Sequence, residues 1–288
     1  MINFLKYKWV YGVISICVII IGLFSVFRYG FSFSIDFIGG SIVEYKFDKK
    51  IDEKTVRAFF NKEKIKIFSL IVESDHTYLI KTESVDEKKE GIVRRLLETQ
   101  QKTHIETLRF ETVGPIMGRE TQQKTVFASL IAIVGIFLYL TFAFSNFKYG
   151  LAAIVAMIHD FLVVLGSYSL LSHFFGAEVD TLFVTAVLTS LSFSVHDTII
   201  VFDKIREYRK RDTITAFSVL ANKAFTETIV RSLNNSLTTM LMLVALILLG
   251  GASTRFFVSA LLIGIITGTY SSPFVATPLL DMLERRKR

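Results

Sequence analysis

The residues best able to do chemistry lie where charge is expensive. Asp197 sits inside the apolar run 184–202. An ionisable group in a segment long enough to cross lipid costs a few kcal/mol, so it faces other helices or water and marks a functional site. Ser190 and Ser194 precede it by seven and three residues, which puts all three on one helical face. A second stripe starts at Arg231, with Asn235 at i+4 and Thr238 at i+7. If the stripes meet, burial and the guanidinium act against each other on the proton affinity of Asp197, a balance that helix motion can shift. Three readings stay open: proton handling, a static polar contact between helices, and an unrelated ligand site. His159-Asp160 is a further pair inside an apolar run, with Ser167 seven residues beyond the Asp. His196 adjoins Asp197 but points about a quarter-turn away, as a helix-packing side chain or a second titratable group.

No further His or acidic residues stand at ligand spacing, so no metal is expected. The chain lacks a nucleophile–base motif, a phosphate-cradling glycine loop and a metalloprotease signature. We expect no enzyme and no cofactor.

These side chains must be held by membrane helices. The 288 residues are 51% hydrophobic and only 20% charged, too apolar for an ordinary soluble protein. The net charge of +7 lies between apolar stretches, so it reads as membrane orientation and not as nucleic-acid binding. The run 9–27 is one span long. It exceeds a signal-peptide core and is followed by Arg28 and Tyr29, so it reads as an uncleaved signal-anchor. Five more spans are expected at 125–144, 151–172, 181–202, 232–249 and 256–280. If six spans alternate, Lys6, Lys8, Lys148, the basic run 204–211 and the basic residues 285–288 share one side. By the Lys/Arg rule that side, with both termini, is cytoplasmic. The run 203–212 reads as a solvated helical extension, or as a contact for anionic lipid or a cytoplasmic partner. Cys17 has no second cysteine with which to pair. Gly264 and Gly268 form a G-x-x-x-G pair that permits close helix packing.

Residues 36–118 are rich in Lys, Glu and Asp. Alternation predicts strands at 41–47, 66–73, 77–82 and 105–113, with a turn at Ser74-Asp75 between the middle two. Helices are expected at 52–62 and 85–101, the second presenting Ile92, Val93, Leu96 and Leu97 on one face. The order βαββαβ is that of the ferredoxin-like motif. The expected fold is therefore a membrane all-α bundle of six transmembrane helices with an inserted α+β ferredoxin-like extracytoplasmic domain between helices 1 and 2. Its divisions are 1–35 (cytoplasmic N-terminus and helix 1), 36–118, and 119–288 (helices 2–6, a cytoplasmic loop 203–230 and a cytoplasmic C-terminus). Gly39, Gly40, Gly114 and Pro115 flank the inserted domain as hinges or as ordinary turns.

Several stretches resemble the SecD/SecF family of protein-export membrane proteins, relatives of the RND transporters. Ile35-Asp36-Phe37-Ile38-Gly39-Gly40 looks like its D-F-x-G-G signature, and Val113-Gly114-Pro115-Ile116-Met117-Gly118 like its V-G-P element. His159-Asp160 resembles its third-span H-D. Residues 194–207, with His196-Asp197-Thr198-Ile199-Ile200-Val201-Phe202-Asp203, resemble its fourth span and the SecF branch more than the SecD branch. Residues 231–239 and 264–273 resemble the fifth and sixth spans. His196 stands where the family more often has Asn. The resemblance implies a separate subunit paired with SecD, acting at the SecYEG channel, with YajC a further candidate partner. It implies use of the proton motive force to assist movement of a preprotein across the bacterial inner membrane. It gives Asp197 and Arg231 the proton path; His196, Asp160, His159, Ser194, Asn235 and Thr238, polar residues of the same spans, are candidates to support it. The rivals are an RND-type subunit exporting a lipid or small molecule, and a scaffold of the channel that transports nothing.

Overall fold

The computed structural model describes residues 3–72, 76–144 and 146–285, so the expected turn at Ser74-Asp75 and the basic residues 286–288 lie outside the described residues. The chain divides into two compact units, Met1–Ser32 with Ala128–Arg288, and Phe33–Phe127.

The first helix, α1, runs Lys8–Tyr29 and belongs to the first unit. The second unit opens on a single helical turn, Ile35–Ile38, whose Asp36 amide donates to the Ser34 hydroxyl at 3.2 Å. Gly39 ends that turn at φ +78°, and Gly40 follows at φ +146°. A side chain at Gly39 would meet Pro115 Cα at 2.7 Å, and one at Gly118 would meet the Gly39 nitrogen at 2.8 Å. Left-handed backbone and close approach together require glycine here.

The unit then follows β1 (Gly40–Phe47), α2 (Glu53–Lys62), β2 (Ile67–Val72), β3 (Thr77–Thr82), α3 (Glu87–Gln101) and β4 (Ile105–Val113). One sheet runs β2-β3-β1-β4, and all three pairings are antiparallel. Asp52 and Asp86 cap α2 and α3, accepting from the amides of Lys54 and Lys89. Val43, Tyr45 and Phe47 alternate inward along β1 and pack with Val56, Phe59 and Phe60 of α2 and Val93 and Leu97 of α3. The Tyr45 hydroxyl donates to buried Glu90 at 2.9 Å, and burial with the Glu90 carboxylate pushes the Tyr45 phenol far above its usual range. Of the four apolar residues expected on the inner face of α3, Val93 and Leu97 are buried, whereas Ile92 and Leu96 are exposed. The buried line is Glu90, Val93 and Leu97, because the hydrogen bond from Tyr45 fixes the helix rotation at Glu90.

Among the described residues six helices are long and apolar enough to cross a membrane. After α1 come α4 (Pro115–Ala143), α5 (Phe147–Phe175), α6 (Thr181–Arg211), α7 (Phe217–Leu249) and α8 (Ala252–Ser271). The sixth span continues through a π-helical turn at Ser272–Ala276 into α9 (Thr277–Arg285). Pro273 and Pro278 cannot donate backbone hydrogen bonds, which accounts for the irregularity there. Residues 203–230 are not a loop: α6 and α7 continue through them, and only 212–216 is non-helical. Asp212 closes that turn, its Oδ1 accepting from the amides of Ile214 and Thr215 at 3.0 and 2.9 Å. Hydrogen bonds from the Thr215 side chain and then its amide hold the Asp212 carboxyl below its usual range.

The third, fourth and sixth spans are about half buried; the first, second and fifth are mostly uncovered. Small residues let the inner helices close up. A side chain at Gly22 of α1 would meet Gly166 Cα of α5 at 3.0 Å, and Ser25 donates to Ser169 at 3.0 Å. At one end of the bundle, fully buried Asp281 takes Lys8 and Arg285, each at 3.1 Å. Lys148 pairs with Glu284 at 2.9 Å, and Asn222 bonds the Leu5 amide and the Asn3 side chain. These contacts gather the N-terminus, the α4–α5 turn, the start of α7 and the end of α9 at the same end, as six alternating spans require.

Truncating Leu97 to Ala should destabilise the sheet unit by about 2–5 kcal/mol. Ile92→Ala should stay within about 0.5 kcal/mol. Proteolysis of residues 33–127 in the full chain, followed with increasing urea, separates the two.

Candidate functional site in the helix bundle

Besides Asp281 at one end, Asp160 and Asp197 lie buried in the bundle among the described residues, each 1% exposed. Asp160 of α5 is the better satisfied. Its Oδ2 accepts from Ser194 of α6 and, at 2.6 Å, from Ser271 at the end of α8. Its Oδ1 lies 2.8 Å from Nδ1 of its neighbour His159. Three spans therefore converge on one carboxyl group.

Asp197 stands three residues beyond Ser194 on α6. Its Oδ2 accepts from Ser232 of α7 at 3.0 Å. Its Oδ1 is buried and has no hydrogen-bond partner among the described residues. A half-satisfied buried carboxylate is costly. That oxygen can accept one further donor.

Hydroxyls fill the space around the two acids. Thr198 donates to the Ser194 carbonyl at 3.1 Å and shares a 2.9 Å hydrogen bond with Ser272 in the π-helical turn. Thr269 donates to Ser236 at 2.8 Å, tying α8 to α7. The glycine pair makes this possible. Built on Gly264, a side chain would overlap that of Ser190; on Gly268 it would come within 2.7 Å of the Ser194 Cβ. The bare backbone of α8 lies directly on the serine stripe of α6, which lets Ser271 reach Asp160.

The stripe Ser190, Ser194 and Asp197 is buried as expected. The stripe opposite is not the expected one. Arg231, Asn235 and Thr238 share a face of α7, but that face is exposed, and among the described residues it is Ser232 and not Arg231 that bonds Asp197. The buried face is one residue over, at Thr228, Ser232 and Ser236, because Ser236 is drawn to Thr269. That line was legible as three hydroxyls at four-residue intervals, but Arg231 is the more conspicuous residue. Ser271 and Ser272 gave no periodic signal, since they precede Pro273 where the helix loses regularity. His159 is buried, and Asp160, expected only to support the site, is its hub. His196 is exposed and lines two grooves, one against Gly135 and Tyr139 of α4, the other against Met242 and Leu261 of α7 and α8. Among the described residues no group of three His, Cys, Asp or Glu is placed to hold a metal.

Six apolar spans around hydroxyl-lined carboxylates define a multi-pass membrane protein with an ionisable interior. Residues 92–286 match the model of the "Protein export membrane protein SecD/SecF, C-terminal" family, and residues 24–51 match the SecD/SecF GG motif. The chain is 38% identical to the protein translocase subunit SecF of Thermobaculum terrenum, over 99% of this chain and 95% of that one. It is also 38% identical to the SecF of Anaerolinea thermophila, over 99% and 94%. The crystal structure of SecDF, a translocon-associated membrane protein from Thermus thermophilus, superimposes with a TM-score of 0.83 at 30% identity. All of this chain is covered in that match, but only 39% of the SecDF chain. The chain belongs to the SecD/SecF family of protein-export membrane proteins.

Replacing Gly264 with Ala should destabilise the bundle by about 1–3 kcal/mol through overlap with Ser190, and a second change, Ser190→Gly, should recover most of the loss. Melting of the two single variants and the double variant in detergent measures the coupling.

Proposed function

We propose that this chain is the SecF subunit of a SecDF complex and helps move proteins across the bacterial cytoplasmic membrane, using the proton gradient through Asp197. One observation carries the reading: Asp197 is buried in a membrane bundle with one carboxylate oxygen held and the other open. An acid so placed changes its proton occupancy when its neighbours move, and an intramembrane carboxylate is the usual means of coupling proton passage to work.

Arg231 retains its role in this reading. It is the residue before Ser232, so a turn of α7 by about 100° exchanges the serine for the guanidinium opposite Asp197. That exchange alternates a neutral donor with a cation at the acid, which is what a proton-driven cycle needs. The exposed face of Arg231, Asn235 and Thr238, and the grooves beside His196, would face SecD or lipid. SecYEG, YajC and the translocating preprotein follow as partners from the family relation.

The basic residues gathered at one end favour cytoplasmic termini and, with them, an extracytoplasmic position for residues 36–118. The element order and strand order of that unit support a ferredoxin-like domain. The close approach of Gly39 to Pro115 favours an ordinary turn over a hinge at these residues.

In inverted vesicles with matched amounts of complex, Asp197→Asn should remove the gradient-dependent part of secretory-protein translocation while leaving the ATP-driven part. Arg231→Met should do the same. Unchanged translocation in both variants would leave the chain a scaffold whose buried acids serve packing alone.

A further inference from the structure

We infer that His159 is a second proton-binding site in this bundle, taking its proton at Nε2 and oriented by Asp160. The inference rests on the proton-driven reading above.

The geometry comes first. Asp160 Oδ2 accepts from two hydroxyls, Ser194 and Ser271. Oδ1 is then free to accept from His159 Nδ1, 2.8 Å away. A carboxylate that takes the Nδ1 hydrogen fixes the tautomer and leaves the lone pair on Nε2. Nε2 is buried with no hydrogen-bond partner among the described residues, and the residue is 6% exposed. Simple packing would not leave a polar atom in that state.

A proton on Nε2 balances the site. Before it arrives the pair carries one negative charge, and afterwards an imidazolium faces a carboxylate with no net charge. Burial opposes an unpaired ion more than a paired one, so the site is built to accept a single proton.

The surrounding groups leave this assignment intact. From α1, Tyr11 offers its carbonyl to the Tyr270 hydroxyl at 3.1 Å, Cys17 is exposed, and Arg28 and Tyr29 lie at the far end. From α8, Tyr270 places its ring 6.2 Å from the imidazole and shares a 3.3 Å hydrogen bond with Ser15, while Arg255 is exposed at the start of the helix. From α6, Asp197 is held by Ser232, and His196 is exposed. From α9, Asp281 is engaged by Lys8 and Arg285, and Glu284 by Lys148. Asp160 is thus the one carboxylate bonded to His159 among the described residues. Ser194, three residues before Asp197 on the same helix, bonds Asp160, and Thr198 bonds the Ser194 carbonyl and Ser272.

The test has two arms. In the first, the full chain in lipid nanodiscs carries labelled histidine, and imidazole nitrogen resonances are followed between about pH 5 and about pH 8. His159 is assigned among the five histidines by its loss in His159→Asn. Its signal should pass from the Nδ1–H neutral form to the imidazolium. A His159 that stays neutral, or carries its hydrogen on Nε2, overturns the inference.

The second arm compares His159→Asn with Asp197→Asn in the vesicle assay. Asparagine preserves a donor near the Nδ1 position but cannot take a proton. Gradient-dependent translocation should fall at least about ten-fold, the lower range for losing a proton-transfer group. If Asp197→Asn is impaired and His159→Asn is not, this inference fails and the proton-driven reading stands. If Asp197→Asn is unimpaired, it is the proton-driven reading that fails.

Discussion

The close approach of α8 to α6 is the contact on which the interior depends. Gly264 and Gly268 remove the side chains that would hold the two helices apart, and Ser190 and Ser194 fill the space with hydroxyls instead of bulk. Only at that separation does Ser271 join Ser194 on Asp160. In lipid there is little hydrophobic force between apolar helices, so packing of small residues and hydrogen bonds must supply the association. Here one pair of glycines supplies the first and positions the second.

The two buried acids are then held differently for a physical reason. Asp160 sits where three helices meet and collects donors from each, which suits a fixed anion. Asp197 sits one turn away, facing α7, a mostly uncovered helix that reaches it through Ser232 alone. The better-packed partner gives the satisfied carboxylate, and the looser one gives the carboxylate with an open oxygen. The interior thus combines a fully bonded carboxyl group with one that has an oxygen left over. The π-helical turn adds to this: Ser272 reaches Thr198 from a stretch where Pro273 has already broken the regular ladder.

Much was legible from residue order alone. Six spans and the β-α-β-β-α-β order followed from apolar run length and alternation, because both patterns reflect one dominant constraint, which face or length must leave water. The buried stripe Ser190, Ser194, Asp197 was legible because an acid within an apolar run has few places to go. The run 203–212 was legible as an extension of the fourth span, which continues as helix to Arg211; the remainder of the expected loop is helical again from Phe217, leaving only 212–216 as the turn.

The sequence by itself determined which residues are too costly to leave in lipid and how the chain alternates between membrane and aqueous segments. The tertiary structure decided which of them meet. Helix rotation about its axis is set by contacts with neighbours and not by the helix's own residues, so α7 presents Ser232 and not Arg231 to Asp197, and α3 presents Glu90 and not Ile92 to the sheet. Likewise Ser271, on an irregular turn far along the chain, reaches Asp160 only because two glycines elsewhere on its helix allow the backbone to come close.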